Sequence, residues 1–75
     1  MFERLIAVLA EYISVDAKKI DTDSSLRMDL GLNSLDLVNL AVSVENEFGV
    51  DISDRDLSIM KTVGDMLYHL EHAGR

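Results

Sequence analysis

The chain has 75 residues, a formal net charge of −7, 48% apolar residues, and no cysteine or proline. That charge repels nucleic acid, and with two phenylalanines, two tyrosines and no tryptophan there is little to stack on bases. Without cysteine there is no disulfide or cysteine–zinc staple, so packed helices must supply the stability of a core near the lower size limit.

The opening M-F-E-R-L-I-A-V-L-A-E-Y-I places acids at Glu3 and Glu11 and has no basic lead or cleavage site, so no secretion signal is expected. No apolar run approaches the roughly 20 residues that span a bilayer. The expectation is a soluble, cytoplasmic, monomeric chain without a membrane partner, forming a single domain over residues 1–75. Leu5, Ile6, Leu9, Tyr12 and Ile13 recur at three- and four-residue spacing, which predicts helix I over Phe2 to Ser14. Its polar side has too few Lys and Arg residues for a membrane-surface helix, so the stripe is read as core.

Val15 to Asn33 is a polar connector containing D-T-D-S-S at Asp21 to Ser25. Asp, Ser and Thr bond their own backbone in competition with helix, so a loop is expected. Nineteen residues are many for a structureless connection. Ile20, Leu26 and Leu30 are expected to pin it to the core, with room for a short helical turn. Asp21, Asp23 and Ser25 suggest a calcium loop. That template needs Gly at its sixth position and Glu at its twelfth, where this chain has Leu26 and Leu32, so an EF-hand is rejected.

Asn33 to Phe48 reads as helix II. Asn33 is a good N-cap, Asp36 suits the positive helix end, and Gly49 stops the helix. Ser34 then falls in the first turn, at the helix mouth. Leu37, Leu40, Ala41, Val44 and Phe48 form a core stripe. Leu35, Val38 and Val42 form a second stripe, which a helix with one buried face does not need. Either the helix is deeply buried, or that stripe, flanked by Asp36 and Glu45, faces partners.

Ser53 with Asp56 has capping-box spacing and opens a short helix III to Met60. Thr62 with Asp65 repeats the device and opens helix IV, which is predicted to run to about Ala73. The fold class is therefore all-α, a small four-helix bundle with three longer helices, a short third helix and a long loop between I and II.

The charge is unevenly spread. Residues 29–56 carry seven acids and one base, while residues 1–28 carry five acids and four bases. The excess surrounds Ser34 and the segment after it, which favours partners with basic surfaces.

The stretch Asp29 to Leu40, D-L-G-L-N-S-L-D-L-V-N-L, resembles the prosthetic-group site of acyl carrier proteins. The resemblance extends to L-I-A-V-L-A-E-Y-I at Leu5 to Ile13 and to V-E-N-E-F-G-V-D-I-S at Val44 to Ser53, so it spans essentially the whole chain. From spacing alone Ser34 is an ordinary first-turn residue; the resemblance singles it out. It implies that Ser34 is esterified by phosphopantetheine, taken from coenzyme A by a phosphopantetheinyl transferase. It further implies that cargo rides the arm as a thioester to acyl-transferring or condensing enzymes with basic docking surfaces. Partner contacts would fall on Leu35, Asp36, Val38, Val42 and Glu45. An acyl shelter would be lined by Leu26, Leu40, Val44 and Ile52.

Catalysis by the chain itself is not expected. A serine hydrolase needs a base beside its serine, and His69 and His72 both lie in the last helix. As metal ligands the two histidines lack a third partner, and no glycine-rich phosphate loop is present. The sequence departs from the family pattern at Asn33, where Asp usually precedes the serine. Asn39 and Asn46 thin the acidic stripe, and Leu32 is larger than usual. These departures leave open whether the cargo belongs to fatty-acid, polyketide, specialised-lipid or aminoacyl chemistry. A rival reading is an unmodified helical interaction module derived from a carrier.

Overall fold

A computed structural model describes residues 1–72. Among these residues four α-helices follow one another: α1 over Phe2–Leu9, α2 over Ser34–Phe48, α3 over Asp54–Ile59 and α4 over Val63–His72. Among the described residues no helix is long and apolar enough to cross a membrane. Leu5, Leu9, Leu26, Leu40, Val44, Val63 and Met66 are the fully buried large side chains, so all the elements but α3 contribute to the centre of the core.

Helix α1 ends earlier than its stripe of apolar residues predicts. After Leu9 the chain tightens, with Glu11 N–H bonding Val8 O and Tyr12 N–H bonding Leu9 O, each three residues back. Tyr12 and Ile13 still pack on the core as half-buried residues, so the stripe reported burial correctly beyond the point where α-geometry stops. Val8, outside the predicted stripe, is buried. Two polar links fasten α1 and the turn after it to α2. Arg4 pairs with Glu47 at 2.9 Å and lies over the Phe48 ring at 4.7 Å, and the Tyr12 hydroxyl bonds Ser43 Oγ.

The long connector is ordered by three devices. A short 3₁₀ turn over Ala17–Lys19 is capped by the Asp16 side chain. Ile20, Leu26, Leu30 and Leu32 are buried, as expected for the first three. Backbone bonds then tie the loop to the α3–α4 junction: Leu26 N–H to Lys61 O at 2.9 Å, Val63 N–H to Ser24 O at 3.0 Å and Gly64 N–H to Thr22 O at 2.8 Å. Those bonds satisfy buried backbone groups that a loose loop would strand. Asp21, the first acid of the rejected calcium loop, is occupied by the Asp23 amide and the Ser24 hydroxyl.

The helix starts match their sequence signals. Asn33 and Asp36 form a reciprocal capping box at α2, and Ser53 and Asp56 form another at α3. Thr62 and Asp65 exchange the same pair of bonds at α4. Gly49 ends α2 in the left-handed region at φ 66°, which costs little without a Cβ. The predicted end of helix IV at Ala73 lies outside the described residues.

Candidate functional site

Ser34 is the first residue of α2, and its side chain is exposed. The capping box fixes it there. Asn33 Oδ1 accepts from the Asp36 amide at 2.8 Å, and Asp36 Oδ2 accepts from the Asn33 amide at 3.1 Å. The first intrahelical bond runs from Leu37 N–H to Asn33 O. The amides of Ser34 and Leu35 precede it and have no carbonyl within the helix to bond. A helix mouth of this kind favours an anion.

Upstream, the loop folds back over the same spot. Gly31 takes φ 71° without crowding, and Leu30 and Leu32 turn inward on either side of it. This return places Arg27 against α2, where its Nη2 donates to Ser34 Oγ at 3.1 Å. Arg27 carries no mark in the sequence, because six residues of irregular loop separate the two and no periodicity relates them.

Ser34 also borders a groove of about 450 Å³. Leu26, Met28, Leu37, Val38, Leu57 and Met60 give it apolar walls, while Arg27, Lys61 and Asp54 add charge. Of the four residues expected to line an acyl shelter, Leu26 lines this groove. Leu40, Val44 and Ile52 do not; they are packed in the core, 0%, 0% and 9% exposed. Their place follows from periodicity, which marks what is buried and does not tell a solid core from a cavity wall.

The second stripe of α2 is outward. Leu35 is 68% exposed, Val38 48% and Val42 50%. Such spacing aligns the three along one face. Asp36 and Glu45, expected at its edges, are half-buried and already hold amides of their own chain: Asn33 for Asp36 and Ile52, at 2.8 Å, for Glu45. A carboxylate has about four lone-pair positions, so each retains accepting capacity and its charge.

The histidines are elsewhere. His69 and His72 line a separate cavity of about 300 Å³ with Asp56, Asp65, Ile59, Met60 and Tyr68. His69 Nε2 pairs with Asp51 O at 3.0 Å, and His72 stacks on Tyr68 with ring centroids 4.0 Å apart. Ser34 therefore has a guanidinium, not an imidazole, as its side-chain partner. A guanidinium is always protonated and accepts no proton, so it cannot serve as the general base of a hydrolase. Among the described residues no group of three His, Cys, Asp or Glu side chains is placed to hold a metal ion.

Asp56 and Asp65 both have pKa values below the ordinary 3.8. For Asp56 the Ser53 side chain is the main cause, followed by the Ser53 amide. For Asp65 it is the Lys61 amide, with Thr62 adding to it. Both shifts arise from helix capping, and neither carboxyl lines the Ser34 groove.

Comparison with known proteins converges on one family. A sequence profile described as "Phosphopantetheine attachment site" matches residues 3–70. An acyl carrier protein of Thermotoga maritima is 38% identical over 71 residues, covering 95% of this chain and 88% of the relative. An acyl carrier protein of Onion yellows phytoplasma is 40% identical over 70 residues, covering 93% and 92%. A solved structure of a Mycobacterium tuberculosis chain described as an acyl carrier protein superposes with a TM-score of 0.85 at 34% identity, covering 93% of each chain. With the profile along nearly its whole length and this identity to curated carriers, the chain belongs to the acyl carrier protein family, whose cofactor is phosphopantetheine.

Proposed function

We propose that the protein is a free-standing carrier whose Ser34 bears the phosphopantetheine arm, and that it serves as a carrier and not as a catalyst. The observation that carries this reading is the Ser34 hydroxyl itself, exposed at the mouth of α2 beside a cation and an apolar groove. The residues present suit the group. A phosphodiester is an anion, and the helix mouth with its unpaired first amides favours an anion. The arm supplies a terminal thiol that holds acyl groups as thioesters.

Loading needs a separate transferase, because the side-chain partner of Ser34 is a guanidinium, which accepts no proton. The Ser34 oxygen attacks the phosphorus of coenzyme A that bears the pantetheine. An ester bond forms there, the pyrophosphate bond breaks, the adenosine bisphosphate leaves, and the serine proton passes to a base of the transferase. Leu35, Val38 and Val42, rimmed by Asp36 and Glu45, form the contact face for that enzyme and for later acyl-transferring or condensing enzymes. The excess of acids over residues 29–56 draws basic partner surfaces to it. The groove, with Leu26 in its wall, is the first shelter for an acyl chain. Opening of the core toward Leu40, Val44 and Ile52 extends that shelter for longer cargo.

The cargo belongs to fatty-acid, polyketide or related biosynthesis, or to an aminoacyl product of a dedicated pathway. Intact mass after incubation with coenzyme A, magnesium and a broad-specificity transferase tests the site. A gain of one phosphopantetheine, absent in Ser34→Ala, is expected. An equal gain in the variant refutes the assignment of Ser34. No gain in the native chain favours the unmodified interaction module.

A further inference from the structure

The groove beside Ser34 contains a charged group that attachment chemistry alone does not require. Arg27 lies on an irregular loop, yet its guanidinium reaches Ser34 Oγ at 3.1 Å. Its backbone neighbour Leu26 is locked, with a side chain 1% exposed and an amide bonded to Lys61 O at 2.9 Å. The base of the Arg27 side chain is thus anchored to the α3–α4 junction while its tip meets the start of α2. An exposed arginine spends rotamer freedom to hold such a pose, and a neutral hydroxyl returns little for it.

We propose that Arg27 is a positioning residue for the phosphodiester of the arm: its guanidinium grips the non-bridging phosphate oxygens once Ser34 is loaded. This rests on the assignment of Ser34 as the attachment site. The non-bridging oxygens lie one phosphorus atom beyond Oγ, within the span of a guanidinium fork whose other N–H groups remain to donate. Planar, two-pronged donation to phosphate is the geometry in which arginine outperforms lysine. Loading replaces a bond to a neutral hydroxyl with an ion pair to phosphate. It also places the new negative charge beside a cation, in a chain that already carries −7. Held at that end, the arm starts from a fixed point at the groove mouth, between the loop residues Arg27 and Met28 and the helix residue Val38.

The test is a thermodynamic cycle of four species: native chain and Arg27→Ala, each apo and loaded, with loading verified by intact mass. The stability change on loading should be more favourable in the native chain than in Arg27→Ala. The expected difference is a roughly 1.5- to 5-fold shift in the folding equilibrium, the range of exposed ion pairs. It should shrink toward zero at roughly 1 M salt, where charges are screened beyond about 3 Å. Phosphorus NMR of the loaded chains gives a second reading. The phosphodiester resonance should move in Arg27→Ala and be only partly restored in Arg27→Lys. Equal stability changes on loading and superposed resonances overturn the role of Arg27. If both chains gain the arm at Ser34 in that case, the carrier reading stands alone. An arm found on another residue refutes both.

Discussion

Arg27 Nη2 donates to Ser34 Oγ at 3.1 Å, joining a loop residue to the first turn of α2 across seven positions of sequence. The contact gives the serine a cation in place of a base. A guanidinium accepts no proton, so Arg27 does not activate that hydroxyl.

The capping box at α2 lets the Asn33 position be tested in both directions. Asparagine and aspartate cap about equally well, so Asn33→Asp should leave stability nearly unchanged, while Asn33→Ala should cost about 1 kcal/mol. Because Asp is the usual residue before the serine in this family, Asn33→Asp is expected to speed loading. Thermal melts and the initial rate of mass gain check the two effects separately; a slower rate in Asn33→Asp contradicts the expectation.

The exposed stripe separates binding from folding. Leu35→Ser and Val42→Ser remove outward side chains, so stability should stay within about 0.5 kcal/mol of the native chain. Association with the transferase should weaken, appearing as a raised KM. Association of the native chain should itself weaken with added salt, as steering by the acidic segment predicts. Salt-independent KM values would remove the acidic segment from the docking surface.

Acid should loosen the corner of α3 and α4 first. Asp56 and Asp65 have folded pKa values below 3.8 because they accept capping bonds. A carboxyl depressed on folding stabilises the fold above its ordinary value and loses that contribution as pH falls through the folded value. Stability should hold above about pH 5 and fall below about pH 4. Asp65→Asn should flatten part of that slope in pH-dependent melts.

Gly64 is the tight backbone contact. A Cβ there would lie 2.8 Å from the Thr22 carbonyl oxygen, a backbone atom that cannot rotate aside. Overpacking of this kind costs about 1–3 kcal/mol. The better helix propensity of alanine offsets up to about 1 kcal/mol. Gly64→Ala should therefore be destabilised by about 1–2 kcal/mol, measured by denaturant midpoint. A more stable variant would mean the loop yields freely.

Much of this was legible in the chain because helical proteins write their caps and stripes locally. Asn33 with Asp36, Ser53 with Asp56 and Gly49 each mark a boundary within a few residues, and all three hold. The end of α1 was not legible, because Tyr12 and Ile13 keep the apolar rhythm through a turn whose hydrogen bonds have tightened. Nor was the groove. Its walls join Leu26 and Met28 of the loop to Leu57 and Met60, and irregular backbone has no period from which to read such a meeting. Arg27 falls in the same class. Leu40, Val44 and Ile52 show the converse: their burial was readable, but not whether a cavity adjoins them.

The most direct measurement of the central claim is the intact mass of the chain after incubation with coenzyme A, magnesium and a phosphopantetheinyl transferase, run beside Ser34→Ala. A gain of one phosphopantetheine in the native chain and none in the variant is the result predicted. The same gain in both, or none in the native chain with several transferases, contradicts it.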